Sequence, residues 1–193
     1  MRRRFDKAYY DRFYRDPRTR AVTPADSRRQ AAFIAGYLEY LRLPVRRIVD
    51  LGCGTGATLR ALGRRFPRAR LEGVEISDYL CRRYGWRTGS VVDYSTATPF
   101  DLVICNDVLA YLDDRDGGRA IANLARLCRG ALFVGVLTAD DLARHDGERS
   151  DPYQYHRPAA WYRRRLGRHF LSVGGGLYLK RPVEVTVWAL EQG

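Results

Sequence analysis

The sequence lacks any run of about 18 apolar residues, the length that a helix needs to cross a membrane. Its basic and aromatic N-terminus, "MRRRFDKAYYDRFYRD", lacks the apolar core of a secretory signal. No C-x-x-C pair occurs among Cys53, Cys81, Cys105 and Cys128, which argues against a zinc site or a redox dithiol. These absences predict a protein with no membrane span and no metal, in the reducing setting of the cytoplasm.

Lysine is also scarce, since Lys7 and Lys180 are the only lysines among 34 basic residues. Arginines nevertheless give the chain a formal net charge of +12, which can indicate a nucleic-acid partner. They are spread along the whole chain, mostly on predicted outer helix faces, and no arginine-rich tail stands out. The favoured interpretation is a solvated basic surface, with nucleic acid as the alternative.

Strand-like and helical patterns alternate along a chain whose 193 residues and 46% hydrophobic content suit one domain. The predicted helices are residues 23–42, 57–66, 77–85, 117–130 and 158–170. The predicted strands are residues 45–51, 69–76, 88–94, 100–107 and 131–137, followed by two within 175–191 that turn at Arg181-Pro182. This order predicts an α/β fold: a doubly wound, mainly parallel seven-stranded sheet with helices on both faces and a C-terminal antiparallel hairpin that supplies an edge strand.

A glycine-rich turn follows the first predicted strand in "IVDLGCGTGATLRAL", which begins at Ile48. Gly52, Gly54 and Ala57 fit the dinucleotide fingerprint G-x-G-x-x-G/A, whereas Gly52, Gly54 and Gly56 fit the turn of an S-adenosylmethionine site. No Gly-Lys-Ser/Thr follows, which excludes a P-loop. The turn therefore predicts a nucleotide-like ligand and leaves two cofactors open.

Three acids near strand ends bear on the choice between these cofactors. Asp50 precedes the turn, where a carboxylate suits the ammonium and sulfonium charges of S-adenosylmethionine better than a pyrophosphate; it can also orient the turn. Glu75 ends the second strand, where it can accept hydrogen bonds from the ribose of either cofactor or lie on the surface. Asp93 can accept from the adenine amine or cap a turn.

With these segments the chain resembles the class I S-adenosylmethionine-dependent methyltransferases over about residues 30–137. "VDLGCGTG" is similar to the family's glycine motif, "LEGVEIS" to its ribose strand, "GSVVDY" to its adenine segment and "FDLVICNDVLAYLDD" to its strand-four motif. Tyr111 stands where many small-molecule members have His, and the Asn/Asp-Pro-Pro-Tyr/Phe pattern of base and glutamine methylation is absent. The resemblance implies a seven-stranded sheet, S-adenosylmethionine as cofactor and S-adenosylhomocysteine as product.

The resemblance also implies roles for particular residues. Residues 50–56 hold the methionine part, Glu75 the ribose and Asp93 the adenine, while Asn106 and Val108 lie near the sulfur. The full set of predicted cofactor-binding residues is Asp50, Gly52, Cys53, Gly54, Gly56, Glu75, Ile76, Val92, Asp93, Asn106 and Val108.

We divide the single predicted domain, residues 1–193, into four segments. Residues 1–23 are a basic and aromatic arm or lid, and residues 24–137 are the cofactor-binding core. Residues 138–157 form a loop long enough to be a substrate loop, and residues 158–193 hold the last helix and the hairpin. The arm and the loop are expected to face the methyl acceptor.

Candidate acceptor contacts lie in both of these segments. In the loop, His156 is the candidate general base, with a solvated or helix-capping histidine as the alternative. In the arm, Tyr9, Tyr10 and Tyr14 can fold over the cofactor or simply pack on the sheet. The arm arginines at positions 12, 15, 18 and 20 can attract an anionic acceptor or form a solvated basic face.

The sequence therefore predicts methyl transfer by in-line displacement to an O, N or C nucleophile of a small molecule. Methylation of RNA or protein is the first alternative, because of the net charge. A nicotinamide-binding oxidoreductase is the second, supported only by the spacing of Gly52, Gly54 and Ala57.

Overall fold

The computed structural model describes residues 5–20, 22–144 and 151–188 of the chain. The strands are β1 (Arg47–Leu51), β2 (Arg70–Glu75), β3 (Arg87–Thr88), β4 (Phe100–Asn106), β5 (Cys128–Gly135), β6 (Phe170–Ser172) and β7 (Leu177–Lys180). The helices are α1 (Lys7–Tyr10), which continues as a π-helical turn (Asp11–Arg15), α2 (Pro24–Tyr40), α3 (Ala57–Arg65), α4 (Asp78–Tyr84), α5 (Asp114–Leu127) and α6 (Ala159–Leu166).

The strands form one sheet in the order β3-β2-β1-β4-β5-β7-β6, which confirms the predicted seven-stranded α/β fold. The first five strands run parallel, and β7 runs antiparallel to both β5 and β6. The chain leaves β1 toward β2 and β3, then crosses back to β4 on the other side of β1. This reversal opens a crevice at the carboxyl ends of β1 and β4, where such sheets bind ligands.

Local sequence signals explain the helix boundaries. Thr23 caps α2 in a reciprocal capping box with Asp26, and Pro24 occupies the first turn. Ser77 caps α4, which ends at Gly85 in the left-handed conformation. Apolar residues of the helices pack in two clusters against the sheet, one containing Leu124 and Leu132 and the other Ile34 and Ile104.

The third strand is much shorter than predicted, because residues 89–94 form a loop instead of extending it. The backbone N–H of Tyr94 donates to the carbonyl of Ser90 at 2.8 Å, as in a helical turn. Asn123 of α5 donates to the carbonyls of Val91 and Tyr94, both at 3.0 Å. These carbonyls are thus satisfied by a side chain rather than by strand pairing.

The C-terminal hairpin exists, but its predicted position was wrong. Its strands are β6 and β7, and they turn at residues 173–176 rather than at Arg181-Pro182. Gly174, Gly175 and Gly176 all have positive φ, which makes this the tight turn. The antiparallel strand β7 therefore lies between β5 and β6, and the hairpin supplies β6 as the edge strand of the sheet.

The starts of α5 and β5 also differ from the sequence prediction, and α6 ends at Leu166 rather than at residue 170. Helix α5 begins at Asp114 instead of residue 117, because Asp113 caps it by accepting from the N–H of Asp116 at 2.8 Å. Strand β5 accordingly begins at Cys128. After Pro182, alternate valine side chains pack against the cluster that contains Ile34 and Ile104. The described residues 183–188 nevertheless form no strand.

Candidate cofactor and acceptor site

A cleft of about 750 Å³, partly open to solvent, lies at the carboxyl ends of β1, β2 and β4. The predicted cofactor-binding residues on its wall are Gly52, Gly54, Glu75, Ile76, Asn106 and Val108. The fold thus brings together side chains from three strand ends that are far apart in sequence.

The glycine turn presents bare backbone to this cleft. Gly52 has φ +80°, and a Cβ there would lie 2.3 Å from Cγ2 of Val108. Gly54 has φ +53°, and a Cβ there would face the Tyr14 ring at 3.7 Å. Both positions need glycine for the left-handed backbone, and Gly52 needs it for space as well. The turn therefore fits a ligand that approaches the main chain closely.

Glu75 fixes this turn from below. It is 4% exposed, and one oxygen, Oε2, accepts from the Gly54 N–H at 2.8 Å. Its Oε1 accepts from the N–H groups of Ile76 and Ser77 at 2.8 and 3.0 Å. Burial raises the pKa of Glu75, and these three N–H groups oppose the rise. A carboxylate has about four acceptor positions, so one remains for a ribose hydroxyl.

Asp50 lies at the end of β1 beside the cleft rather than on its wall. It lines a neighbouring cavity together with Cys53. The two cavities share Tyr14, Gly52, Asn106 and Asp107. Asp50 is 4% exposed. Its burial, with the nearby charge of Glu75, raises the pKa of Asp50 to about 7. A carboxyl group of this kind is well suited to a cationic ligand group, which would favour its ionised form.

The N-terminal arm closes the cleft with aromatic rings. Tyr9, Tyr10 and Tyr14 all line it, as does Phe5. The arm is anchored to the core because Ser77 Oγ donates to the Phe5 carbonyl at 2.5 Å. The interpretation of the arm as a cover, rather than a segment packed away from the site, therefore agrees with the geometry.

Tyr111 connects the arm with the segment before α6, an arrangement that the sequence analysis did not identify. The hydroxyls of Tyr9 and Tyr111 are 2.9 Å apart. Gln154 Nε2 donates to the Tyr111 hydroxyl at 3.1 Å. These hydrogen bonds form a row from Gln154 through Tyr111 to Tyr9. No local motif indicates this row, because Tyr9 and Tyr111 are 102 residues apart in the sequence.

Arg157 holds the turn that carries Tyr111. The residue is 6% exposed, and its guanidinium donates to the Leu112 carbonyl at 2.5 Å and to Asp114 Oδ1 at 2.6 Å. It also reaches the Leu109 carbonyl at 3.5 Å. Arg157 therefore ties together both ends of the short turn at residues 109–111.

Besides Asp50 and Cys53, four predicted site residues lie outside the cleft wall. Gly56 is the N-cap residue before α3, and a Cβ there would clash with the Trp86 ring. Val92 and Asp93 lie beyond Val91, which is the last lining residue of that loop, and the Asp93 side chain is exposed. His156 does not line the cleft, and its Nε2 is buried with no hydrogen-bond partner in the described part of the chain.

The arm arginines do not line the cleft either. Arg15 pairs with Asp11 and donates to the Tyr79 hydroxyl at 3.2 Å, and Arg18 pairs with Asp16 at 3.2 Å. Among the wall residues that the structure describes, none is Lys, Arg or His. Within the same described ranges no cluster of metal-ligating side chains occurs, and no helix is long and apolar enough to span a membrane.

Comparison with known proteins gives one consistent result. A family described as a methyltransferase domain matches residues 7–174. Trans-aconitate 2-methyltransferase of Azoarcus sp. is 31% identical over 132 residues, covering 65% of this chain and 50% of that protein. The chain spans about half the length of this relative.

Solved structures show the same fold. The sugar N-methyltransferase KedS8 of Streptoalloteichus sp. gives a TM-score of 0.55 at 27% identity, covering 72% of this chain and 57% of that one. Magnesium protoporphyrin IX methyltransferase of Synechocystis, solved with bound S-adenosylhomocysteine, gives a TM-score of 0.63 at 20% identity, covering 93% and 94%.

Proposed function

The chain belongs to the methyltransferase-domain family, as a class I S-adenosylmethionine-dependent member, and we propose that it methylates a small molecule. One observation carries the proposal. The glycine turn, Glu75 and Asn106 meet in a single cleft that the aromatic arm covers.

We assign cofactor binding to the residues around the glycine turn. Backbone at Gly52 and Gly54, with Asp50 beside it, would hold the methionine part, and Glu75 would accept from the ribose. Asn106 and Val108 would lie near the sulfur. When bound, S-adenosylmethionine supplies a methyl carbon made electrophilic by its positively charged sulfur.

The chain's own residues align the reactants and exclude water. The arm places Tyr9 and Tyr14 over the cleft, and Arg157 fixes the turn that carries Tyr111. Alignment and exclusion of water provide much of the acceleration for an in-line displacement. The adenine contact of Asp93 and the base role of His156 stay predictions, and their positions outside the wall do not support them.

The names of similar proteins support a small-molecule acceptor. The names of the relatives refer to trans-aconitate, a sugar and a porphyrin, which are small molecules. An anionic acceptor has no support from the cleft wall, because the arm arginines lie elsewhere. The family match gives no support to the nicotinamide alternative or to RNA and protein acceptors.

The segment boundaries and the location belong to the same proposal. Residues 1–23 act as the cover, residues 24–137 as the cofactor core, residues 138–157 as the acceptor loop and residues 158–193 as the closing segment. A cytoplasmic location is supported by the four cysteines, which are all buried free thiols. Residues 145–150 of the acceptor loop lie outside the described residues.

Calorimetric titration of the full chain with S-adenosylhomocysteine and, separately, with NADH tests the cofactor assignment. We expect one S-adenosylhomocysteine per chain and no heat from NADH. Absence of S-adenosylhomocysteine binding at about 1 mM, which corresponds to less than about 4 kcal/mol, would overturn the proposal. So would NADH binding that S-adenosylhomocysteine does not displace.

A further inference from the structure

Three rings of the cleft wall form one cluster, which we call the aromatic wall: Phe5, Tyr9 and Tyr111. The Phe5 ring packs edge-on against the Tyr9 and Tyr111 rings. Its centroid lies 5.0 Å from the Tyr9 centroid and 5.3 Å from the Tyr111 centroid. The Tyr9 and Tyr111 hydroxyls are 2.9 Å apart. Tyr10 and Tyr14 extend this surface, because their rings also line the cleft and lie 5.2 Å apart.

The charges at the cleft are negative. Its charged wall residues, in the part of the chain that the structure describes, are Glu75 and Asp107, although the chain holds 34 basic residues. Glu75 is held by three backbone N–H groups. Asp107 follows β4 and accepts from Asn106 Nδ2 at 2.9 Å. An anion entering this cleft would meet carboxylates and no described cation, which is unfavourable in a partly dry site.

The tyrosines of the aromatic wall stay neutral. Burial raises the pKa of Tyr9 and of Tyr111 above the usual value, and the nearby charge of Asp151 raises both further. Neutral phenols offer oxygen lone pairs to an N–H donor, and their ring faces attract a cation. Such cation–ring contacts stabilise binding by about 0.5–2 kcal/mol.

We propose that the methyl acceptor is an amine bound against the aromatic wall, so that the protein is an N-methyltransferase. This inference rests on the proposed methyltransferase function and narrows it to one class of nucleophile. The amine arrives as an ammonium ion and loses one proton to water, which frees the lone pair on nitrogen.

The transfer step then balances without any further reagent. The nitrogen lone pair forms the new N–C bond while the C–S bond of the sulfonium donor breaks. The electron pair of that bond stays on sulfur as a neutral thioether, and the positive charge moves to the methylated nitrogen. The product ammonium ion is held by the same ring faces until it loses a proton or leaves.

Binding of matched ligands tests the inference independently of turnover. The full chain, saturated with S-adenosylhomocysteine, is titrated near neutral pH with 2-phenylethylamine, phenylacetate and 2-phenylethanol, which differ only in the polar group. We expect the amine to bind at least about tenfold more tightly than either other ligand, as one or two cation–ring contacts provide. Equal or tighter binding of phenylacetate or 2-phenylethanol, or no amine binding at about 10 mM, would overturn it.

Variants of Tyr9 separate the ring from the hydroxyl. Tyr9→Leu removes the ring, so amine affinity should fall by about 3- to 10-fold while 2-phenylethanol affinity changes by less than about twofold. Tyr9→Phe keeps the ring and should lose less amine affinity than Tyr9→Leu. Tyr40→Leu is the matched control, because Tyr40 is 63% exposed on α2, outside the cleft.

The outcomes distinguish this inference from the proposed function. A chain that binds S-adenosylhomocysteine but prefers phenylacetate is a methyltransferase for a different acceptor, and only the amine inference fails. A chain that does not bind S-adenosylhomocysteine fails at the cofactor. Equal losses of amine and alcohol affinity in Tyr9→Leu would show that the ring provides only apolar contact, which contradicts the proposed cation–ring contact.

Discussion

Replacing Gly52 with alanine probes the tightest point of the site. The added Cβ would lie 2.3 Å from Cγ2 of Val108, far inside the contact distance of about 3.5–4.0 Å. A side chain at φ +80° adds about 1–2 kcal/mol of backbone strain. Overpacking adds about 1–3 kcal/mol. The free energy of unfolding should therefore fall by about 2–5 kcal/mol, and the melting temperature by about 4–20 °C.

Calorimetric or fluorescence-monitored unfolding measures this loss, and a second variant separates its two causes. Val108→Ala removes the clashing methyl group but leaves the backbone strain. Gly52→Ala and Val108→Ala should therefore be coupled by about 1–3 kcal/mol, with the double variant more stable than additivity predicts. Gly36→Ala is the control, since a Cβ there has nothing within 4 Å, and alanine in a helix should stabilise by about 0.5–1 kcal/mol. Additive effects within about 0.5 kcal/mol would refute the clash.

Three further perturbations follow from the same contacts. Asp50 has a folded pKa of about 7 against an ordinary value of 3.8, so the native state binds a proton that the unfolded chain has lost. The protonated Asp50 contributes fully to stability below about pH 4, and this contribution is lost as the pH rises to about 7. Asp50→Asn should therefore flatten the fall in melting temperature between these pH values. An unchanged slope of melting temperature against pH would contradict the raised pKa. Glu75→Gln places an amide N–H₂ group against backbone N–H donors, so S-adenosylhomocysteine should bind about 10- to 100-fold more weakly. The exposed control, Glu39→Gln, should bind it with unchanged affinity. Equal affinities of the two variants would exclude the role of Glu75. Arg157→Lys keeps the charge but loses the planar guanidinium group that donates to several acceptors at once. The affinity for the acceptor should therefore fall, while the affinity for S-adenosylhomocysteine stays within about twofold of its original value. A parallel loss of both affinities would show that Arg157 does not act through Tyr111.

Residues at the ends of central strands were predictable from the sequence. Gly52, Glu75 and Asn106 each follow or end an apolar segment, and parallel strands bring such ends to one edge of the sheet. The predicted helix starts at residues 23 and 77 are also confirmed, because Thr23 and Ser77 cap these helices through local hydrogen bonds. These features depend on short stretches of chain and on an alternation of strands and helices that few topologies satisfy.

Other features depend on contacts between distant segments, and no local pattern shows them. The short third strand results from Asn123 of α5, which takes the carbonyls that strand pairing would have used. The hairpin lies earlier in the sequence than predicted, because Gly174, Gly175 and Gly176 turn the chain before it reaches Pro182, the residue on which the prediction was based. The row from Gln154 through Tyr111 to Tyr9 joins three parts of the chain and was invisible in the sequence for the same reason.

The most direct test of the account is a structure of the full chain with S-adenosylhomocysteine bound. We expect the homocysteine part against the backbone of Gly52 and Gly54, a ribose hydroxyl within hydrogen-bond distance of Glu75, and the sulfur directed toward the rings of Tyr9 and Tyr111. A ligand bound elsewhere, or with its ribose turned away from Glu75, would contradict the assignment of this cleft as the methyl-transfer site.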